Sequence, residues 1–227
     1  MLKNILIPLS LGFYLSAQAL EDLHGKVFTF PTLTDHVKVT PMSSSGLTSG
    51  TVCLRYYTDA DREHSFFSLA TKSHDNAFLL YKVARGNYEL YVGNDKVAFQ
   101  NLPDEMNRWN SVCGLWDSNT GLGQFWVNGR RGSPKLLFKG GNLQGPFSII
   151  LGQDQDSYGG DFSTSEALYG QLTDVHMWDH ILPTCEIQRF MQGKAFKSGN
   201  IVDWGKMDFI LGGKVVLQKN QEECNAS

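Results

Sequence analysis

The fold class is decided by the stretch Phe78-Leu79-Leu80-Tyr81-Lys82-Val83-Ala84-Arg85-Gly86-Asn87-Tyr88-Glu89-Leu90-Tyr91-Val92. It contains two runs of aliphatic and aromatic residues, 78–83 and 88–92, on either side of a turn that contains glycine and asparagine. Short runs of this kind, broken by turn residues, are typical of antiparallel strands joined by a hairpin. The stretch therefore predicts two neighbouring β-strands.

The same pattern continues outward in both directions, from residue 28 to residue 217. Asn128-Gly129, which follows an aromatic run, is a strong hairpin signal because both turn positions need a positive φ. The sequence therefore predicts an all-β fold, an antiparallel sandwich of two sheets. The candidate strands are residues 28–30, 52–58, 78–83, 88–92, 111–116, 124–127, 148–151 and 168–178.

One segment has a different period. Residues 183–193 place Ile187, Phe190 and Met191 at a helical spacing, with a proline at the start and a glycine at the end. These features favour a single short helix. A lone helix in a β protein must rest its apolar side on a sheet, so we expect it to cover part of one sheet face.

The N-terminus has the order of a signal peptide: one lysine, an apolar run over residues 5–15 and the small-residue site Ala17-Gln18-Ala19. We expect residues 1–19 to be removed and residues 20–227 to form one domain of a secreted, extracellular protein. The apolar run is shorter than the roughly 20 residues that cross a bilayer. No membrane span is expected.

The charges are balanced and interspersed, with 20 Lys and Arg against 23 Asp and Glu. No basic block is present, which argues against a nucleic-acid groove. Four cysteines in an exported chain favour disulfides, although four cysteines allow three connectivities. A bridge from Cys185 to Cys224 is the preferred pairing for the later two, with an intermolecular bridge or free thiols as alternatives. The polar tail, residues 218–227, is expected to be loosely held.

Residues 152–161 follow a buried-looking strand and carry three carboxylates among glycines. Such a loop suits Ca²⁺, which takes about six to eight oxygen ligands from carboxylates, amides and backbone carbonyls. A solvated acidic turn is the alternative. Asp75-Asn76 precedes the strand 78–83, and either comes to this loop from the same sheet edge or serves as an ordinary turn.

Tyr81 and Tyr91 lie on the two strands of the first hairpin and could face each other across it. They are either one wall of a ligand pocket or two half-exposed sheet aromatics. No catalytic motif accompanies them. His176 and His180 are four residues apart, a spacing that suits metal ligands on a helix, but they lie on a predicted strand and a turn. Asp154 and Asp156 share one short loop, so they cannot flank a sugar as a pair of glycosidase carboxylates. We therefore expect no enzymatic activity.

The segment Ser148-Ile149-Ile150-Leu151-Gly152-Gln153-Asp154-Gln155-Asp156-Ser157-Tyr158-Gly159-Gly160 resembles the calcium loop of the short pentraxin family, the family of serum amyloid P component and C-reactive protein. The resemblance extends from Phe28-Thr29-Phe30-Pro31 to Val175-His176-Met177-Trp178-Asp179. It implies a two-sheet, concanavalin-like jelly roll with one short helix. It also implies a disulfide between Cys53 and Cys113 and self-assembly into a homo-pentamer or decamer.

The resemblance further implies two neighbouring calcium ions. The sequence departs from the family where the chain has Ser163 in place of a carboxylate, Glu166 in place of a glutamine and Asp154 in place of a glutamate. Glu166 can restore the charge that is missing at Ser163. The implied metal ligands are Asp75, Asn76, Asp154, the backbone carbonyl of Gln155, Asp156 and Glu166.

The implied ligand wall consists of Tyr81, Tyr91 and Lys96. The phosphocholine-binding branch of the family has a glutamate at the Lys96 position, and the two tyrosines and the lysine resemble the other branch instead. The resemblance implies calcium-dependent recognition of phosphoethanolamine, phosphocholine or acidic glycans on microbes or debris, an acute-phase role in innate immunity, and complement components as partners. The alternative hypotheses are a calcium-dependent lectin for carbohydrates, a secreted glycosidase on a related sandwich, and a structural or carrier role that needs no calcium.

Overall fold

The computed structural model describes residues 20–221, which form fifteen β-strands, one α-helix and one 3-10 turn. The strands pair into two sheets, and neighbouring strands within each sheet are antiparallel. The prediction of an all-β, two-sheet sandwich with one short helix is confirmed. The predicted strand boundaries differ from the observed ones by at most three residues.

The first sheet has eight strands in the order β10-β9-β8-β3-β13-β1-β15, and β11 also pairs with β9. The Asn128-Gly129 turn joins β9 to β10 with both residues at positive φ, as the sequence predicted. The members of this sheet are β1 (Lys26–Phe30), β3 (Ser49–Tyr57), β8 (Asn110–Asp117), β9 (Leu122–Val127), β10 (Arg130–Arg131), β11 (Lys135–Leu136), β13 (Gly170–Trp178) and β15 (Val216–Lys219).

The second sheet has seven strands in the order β14-β2-β12-β4-β5-β6-β7. Several of its strands were not predicted. One of them, β4, is buried along its whole length, so it lacks the alternation that marks a half-exposed strand. The members of this sheet are β2 (His36–Thr40), β4 (His64–Ala70), β5 (Phe78–Ala84), β6 (Asn87–Val92), β7 (Asp95–Phe99), β12 (Ser148–Leu151) and β14 (Asp208–Gly212).

The main core lies between the two sheets, where the inward-facing side chains of each strand meet. On β5, Phe78 and Leu80 point into this core, and Lys82, which has the same parity, is fully buried with them. The Lys82 ammonium forms an ion pair with Asp104, at 2.9 Å between Nζ and Oδ2. Asp104 also accepts hydrogen bonds from the Tyr56 hydroxyl at 3.1 Å and from the Gly86 backbone at 3.0 Å. The buried charges are therefore paired within the fold.

A second, smaller core lies on the outer face of the eight-stranded sheet, under the helix α1 (Thr184–Met191). Ile187 and Phe190 of the helix are buried there against Trp178 and the disulfide between Cys53 and Cys113. The expected disulfide and the expected contact of the helix with one sheet face are both confirmed. Gly193, at φ +66°, ends the helix in the left-handed conformation that glycine favours.

The last strand, β15, extends the paired part of the chain to Lys219. The expectation of a loosely held tail from residue 218 is wrong at its start, because Gln218 and Lys219 belong to β15 and pair with β1. Cys185 is exposed and unpaired among the described residues. Its expected partner Cys224 and the expected signal peptide, residues 1–19, lie outside the described residues, so both remain predictions. Within residues 20–221, no helix is long and apolar enough to cross a membrane.

Candidate metal and ligand site

The acidic loop begins at Gly152, directly after β12 in the seven-stranded sheet. Gly152 has a φ of +82°, and a Cβ at this position would lie 2.5 Å from the Phe30 ring, so only glycine fits this turn. The loop then folds back over the sheet. Its anchor is the buried Gln155 amide, which donates to the carbonyl oxygens of Ser68 at 2.9 Å and Ser148 at 3.2 Å.

Asp154 is the most deeply buried carboxylate of the loop, with 5% of its surface exposed. Burial raises its pKa to about 7, and the negative charges of Glu166 and Asp156 act in the same direction. Two hydrogen bonds oppose the shift, one from the Gln155 backbone at 2.8 Å and one from the Ser68 hydroxyl at 3.3 Å. Asp154 is therefore held where an ionised carboxylate lacks a compensating positive charge.

Glu166 lies near Asp154, although it comes from the other end of the segment between β12 and β13. The Ser65 backbone donates to the Glu166 carbonyl at 2.9 Å, and the Arg62 guanidinium donates to the Thr164 and Ser165 carbonyls at 2.6 and 2.8 Å. Burial raises the pKa of Glu166, and the charges of Asp156 and Glu63 raise it further. The described part of the chain contains no ion pair that neutralises Asp154, Asp156 or Glu166.

The Asp75-Asn76 turn lies in the connection between β4 and β5. The Asn76 backbone donates to the Asp75 carboxylate at 3.0 Å and to the Asn94 side chain at 3.1 Å, which joins this turn to the β6–β7 hairpin. The Asn76 side-chain oxygen is buried and accepts no hydrogen bond. Among residues 20–221 no hydrogen bond connects Asp75 or Asn76 with the acidic loop, although Lys72 in the same connection lies over the Tyr158 ring of that loop, 3.8 Å from its centroid.

These residues fit a calcium ion by their chemistry. Within residues 20–221, no three His, Cys, Asp or Glu side chains converge closely enough to form a metal cluster by themselves. A site here would need amide and backbone oxygens as well as carboxylates, which is the mixture that Ca²⁺ accepts. The unbonded Asn76 oxygen and the unneutralised carboxylates supply these donor types. A buried amide oxygen without a hydrogen bond and a buried carboxylate without an opposite charge, such as Asp154, are both costly, and a bound cation would compensate both.

Tyr81 and Tyr91 lie on the outer face of the same sheet. In the register of β5 and β6, Tyr81 is opposite Glu89 and Tyr91 is opposite Leu79, so the tyrosines are diagonal neighbours rather than a facing pair. Burial raises the pKa of each hydroxyl, and the charges of Asp154 and Glu166 contribute to both shifts. The tyrosines therefore stand beside the acidic group and remain protonated hydrogen-bond donors.

Two residues near this wall were not singled out from the sequence. The negative charge of Glu63, just before β4, adds to the effect of burial and raises the pKa of Tyr81. Glu89 accepts a hydrogen bond from the Tyr91 hydroxyl at 2.7 Å and pairs with Lys96. The signal for Glu89 was present in the sequence, because it shares the strand parity of Tyr91. Glu63 precedes β4, a strand that was not predicted, so its place beside Tyr81 could not be found from the sequence.

His176 is buried beside Trp178, Phe190 and Phe196. Burial lowers its pKa to about 3, so the ring is neutral at physiological pH. It belongs to the packing under the helix.

Comparison with known proteins finds relatives along most of the chain. The Pentaxin family model matches residues 26–219. The chain is 39% identical over 209 residues to serum amyloid P-component of Mesocricetus auratus, covering 91% of this chain and 88% of that protein. It is 37% identical over 209 residues to the human serum amyloid P-component, covering 90% and 92%.

Among solved structures, the native heptameric SAP-like pentraxin from Limulus polyphemus superposes with a TM-score of 0.79. The match has 24% sequence identity and covers 88% of this chain and 97% of that chain. At this identity the likeness concerns the fold.

Proposed function

The chain belongs to the Pentaxin family, and from this premise we propose that it is a secreted, calcium-dependent pattern-recognition protein without enzymatic activity. Its ligands are phosphorylated or acidic groups, such as phosphoethanolamine, phosphocholine or acidic glycans, on microbes or cell debris. The observation that supports this proposal best is the group of unneutralised carboxylates, Asp154, Asp156 and Glu166, beside the two wall tyrosines.

The residues that would hold calcium are Asp75, Asn76, Asp154, the Gln155 carbonyl and Asp156, with Glu166 and the shared aspartates holding a second ion. Bound calcium would supply positive charge and open coordination positions for an anionic oxygen of the ligand. The protein contributes the rest: Gln155 fixes the loop on the sheet, and the protonated tyrosines offer hydroxyl donors and ring faces to the ligand body.

The test is retention of the purified protein on immobilised phosphoethanolamine, with calcium and with a chelator. We expect chelator-sensitive retention in the wild type and its loss in Asp156→Asn, because an amide supplies less charge to the cation. Asp161→Asn is the matched control, since Asp161 is an exposed aspartate of the same segment that is not among the expected ligands. Retention that is indifferent to chelator and to Asp156→Asn would contradict the calcium mechanism.

Retention on neutral glycans but not on phosphate esters would instead favour the lectin hypothesis. Turnover of a glycan would favour the glycosidase hypothesis.

We also propose that the chain assembles into a homo-oligomeric ring, with five subunits or two rings of five expected. Exposed apolar side chains at the two ends of the eight-stranded sheet support this: Leu136 on β11 is 70% exposed, and Val216 on β15 is 48% exposed. A contact between two different edges generates a ring when the rotation closes. Light scattering of the wild type and of Leu136→Asp tests the proposal, and we expect the variant to be smaller.

Several sites on one ring would act together, because linked sites gain avidity without any new contact. A secreted location is supported by the disulfide between Cys53 and Cys113, which an oxidising compartment maintains. The expected complement partners follow from the family and are part of the same proposal.

A further inference from the structure

On the outer face of the β6–β7 hairpin, a carboxylate, a hydroxyl and an aromatic ring surround a position that suits an ammonium ion. The ammonium of the chain's own Lys96 occupies this position. Lys96 lies opposite Tyr91 in the strand register. Its Nζ atom is 3.1 Å from Glu89 Oε1 and 3.2 Å from Oε2. The same atom is 3.3 Å from the Tyr91 hydroxyl and 5.3 Å from the centre of the Tyr91 ring.

A carboxylate next to an aromatic face is the combination that proteins use to recognise ammonium groups of ligands. The two partners of this pair differ in how firmly they are held. The Glu89 side chain is 14% exposed and is fixed by the Tyr91 hydroxyl at 2.7 Å, whereas the Lys96 side chain is 54% exposed on a flexible stem. The carboxylate is therefore a built part of the wall, and the lysine ammonium is its replaceable occupant.

The position of Glu89 relative to the carboxylates of the proposed calcium site indicates how a ligand would lie across the sheet. Glu89 lies opposite Tyr81, and Tyr91 lies opposite Leu79. Leu79 in turn pairs with Ser68, whose hydroxyl donates a hydrogen bond to Asp154. Calcium held by those carboxylates would bind the anionic end of a small ligand. The rest of the ligand would then extend across the tyrosines, and its other end would reach Glu89. Exposed ion pairs contribute little because solvent screens them, so displacing Lys96 costs little.

We propose that Glu89 is a specificity-determining residue that accepts the ammonium of an aminoalkyl phosphate ester, and that Lys96 is an internal competitor for the same position. This inference rests on the proposed function, since it requires a phosphate ester to bind at the proposed calcium site. It departs from the expectation that Lys96 itself contacts the ligand.

The experiment is calorimetric titration of the purified protein, in saturating calcium, with two probes of similar size. Phosphoethanolamine carries an ammonium at its far end, and 2-phosphoglycolate carries a carboxylate there. The variants are Lys96→Met, which keeps the length of the stem, and Glu89→Gln, which keeps the shape of the carboxylate. Lys38→Met is the matched control, because it removes an exposed lysine from the outer face of the same sheet, on β2.

We expect Lys96→Met to tighten phosphoethanolamine binding by about threefold or more, since it removes the competitor, and to leave phosphoglycolate binding equal or weaker. Glu89→Gln is expected to weaken phosphoethanolamine binding by about fivefold, the effect of losing one partly exposed charge partner, without weakening phosphoglycolate. Lys38→Met should change neither preference.

Two results would overturn the inference. If Lys96→Met weakens both probes, Lys96 donates to the ligand directly. If Glu89→Gln leaves the ratio of the two affinities unchanged, Glu89 only supports the hairpin. Failure of the proposed function looks different, because the wild type would then bind neither probe in a calcium-dependent way.

Discussion

Two groups of charged side chains lie on opposite faces of the seven-stranded sheet, and they differ in whether their charges are paired within the fold. On the inner face, Lys82 is paired with Asp104, whose carboxylate is also hydrogen-bonded by Tyr56. On the outer face, Asp154 and Glu166 lie close to other carboxylates and have no ion-pair partner among the described residues. Tyr81 and Lys82 are consecutive in sequence, so a single step along β5 passes from one group to the other.

The difference separates charge that serves the fold from charge that serves binding. A buried pair costs desolvation, but each partner compensates the other, and losing one partner is severe. Buried carboxylates without an ion-pair partner raise the free energy of the native state unless a bound cation compensates their charge. The inner group should therefore control stability, and the outer group should control affinity for metal and ligand.

The largest expected effect comes from breaking the inner pair. Asp104→Ala leaves the fully buried Lys82 without its partner and should lower the free energy of unfolding by about 3–5 kcal/mol. Urea denaturation measures this change. Glu105→Ala is the neighbouring control, because Glu105 is exposed and its 3.5 Å pair with Arg108 should contribute less than about 1 kcal/mol. Equal effects of the two substitutions would contradict the distinction.

A second prediction concerns pH and the inner group. Burial and the nearby Lys82 charge lower the pKa of His64 from 6.5 to about 3. Below pH 6.5 the unfolded chain binds a proton that the native state does not, so stability falls as the solution is acidified toward pH 3. At pH 4.5 the loss from this residue should be about 2–3 kcal/mol. His64→Phe should remove that part of the acid destabilisation, which denaturation at pH 7 and pH 4.5 can measure.

For the outer group, the change of stability with pH should have the opposite sign. The pKa of Asp154 is raised from 3.8 to about 7, so in calcium-free solution the native state binds the extra proton between these values. Stability then decreases as the pH rises from about 4 to about 7. Asp154→Asn should stabilise the metal-free protein by about 1–3 kcal/mol at pH 7.5 and should weaken calcium binding.

The check is thermal unfolding of Asp154→Asn and wild type, each in chelator and in calcium. The ranking of the two proteins should reverse when calcium is added. A variant that is less stable than wild type in both solutions would mean that Asp154 stabilises the loop by its hydrogen bonds instead.

The smallest expected effect separates affinity from stability at the Glu89–Lys96 ion pair, which lies on the same outer face of the sheet. Because the Glu89–Lys96 pair is partly exposed, Glu89→Gln and Lys96→Met should each change the free energy of unfolding by less than about 1 kcal/mol. Chemical denaturation of the two variants tests this. A larger loss in either variant would make the binding changes expected of them uninterpretable as specificity effects.

Much of the fold could be predicted from local signals. The hairpin at Asn128-Gly129 and the strand at residues 148–151 follow directly from turn chemistry and from an apolar run. Other strands lacked such signals. All seven residues of β4, from His64 to Ala70, are buried, including two serines and a histidine, so neither alternation nor continuous apolarity marked it.

The site was predictable in part for the same reason. The acidic loop and the tyrosines could be read from composition and strand parity, and the family resemblance supplied the metal ligands. The paired Lys82 could not be anticipated, because its partner Asp104 comes from a distant connection. The pairing of Glu89 with Lys96 depends on the register between β6 and β7, which local sequence specifies only through the Gly93-Asn94 turn.

The order of strands in the eight-stranded sheet has a consequence for biosynthesis. β1 pairs with β13 and β15, so Phe28 meets its partner Leu172 only after about 140 further residues have been made. At a synthesis rate of about 5–20 residues per second, this apolar strand waits roughly 7–30 s with its edges unpaired. Folding can therefore close the sheet only near the end of translation, and a nascent chain that stalls before β13 would leave an aggregation-prone N-terminal strand exposed to the quality-control machinery.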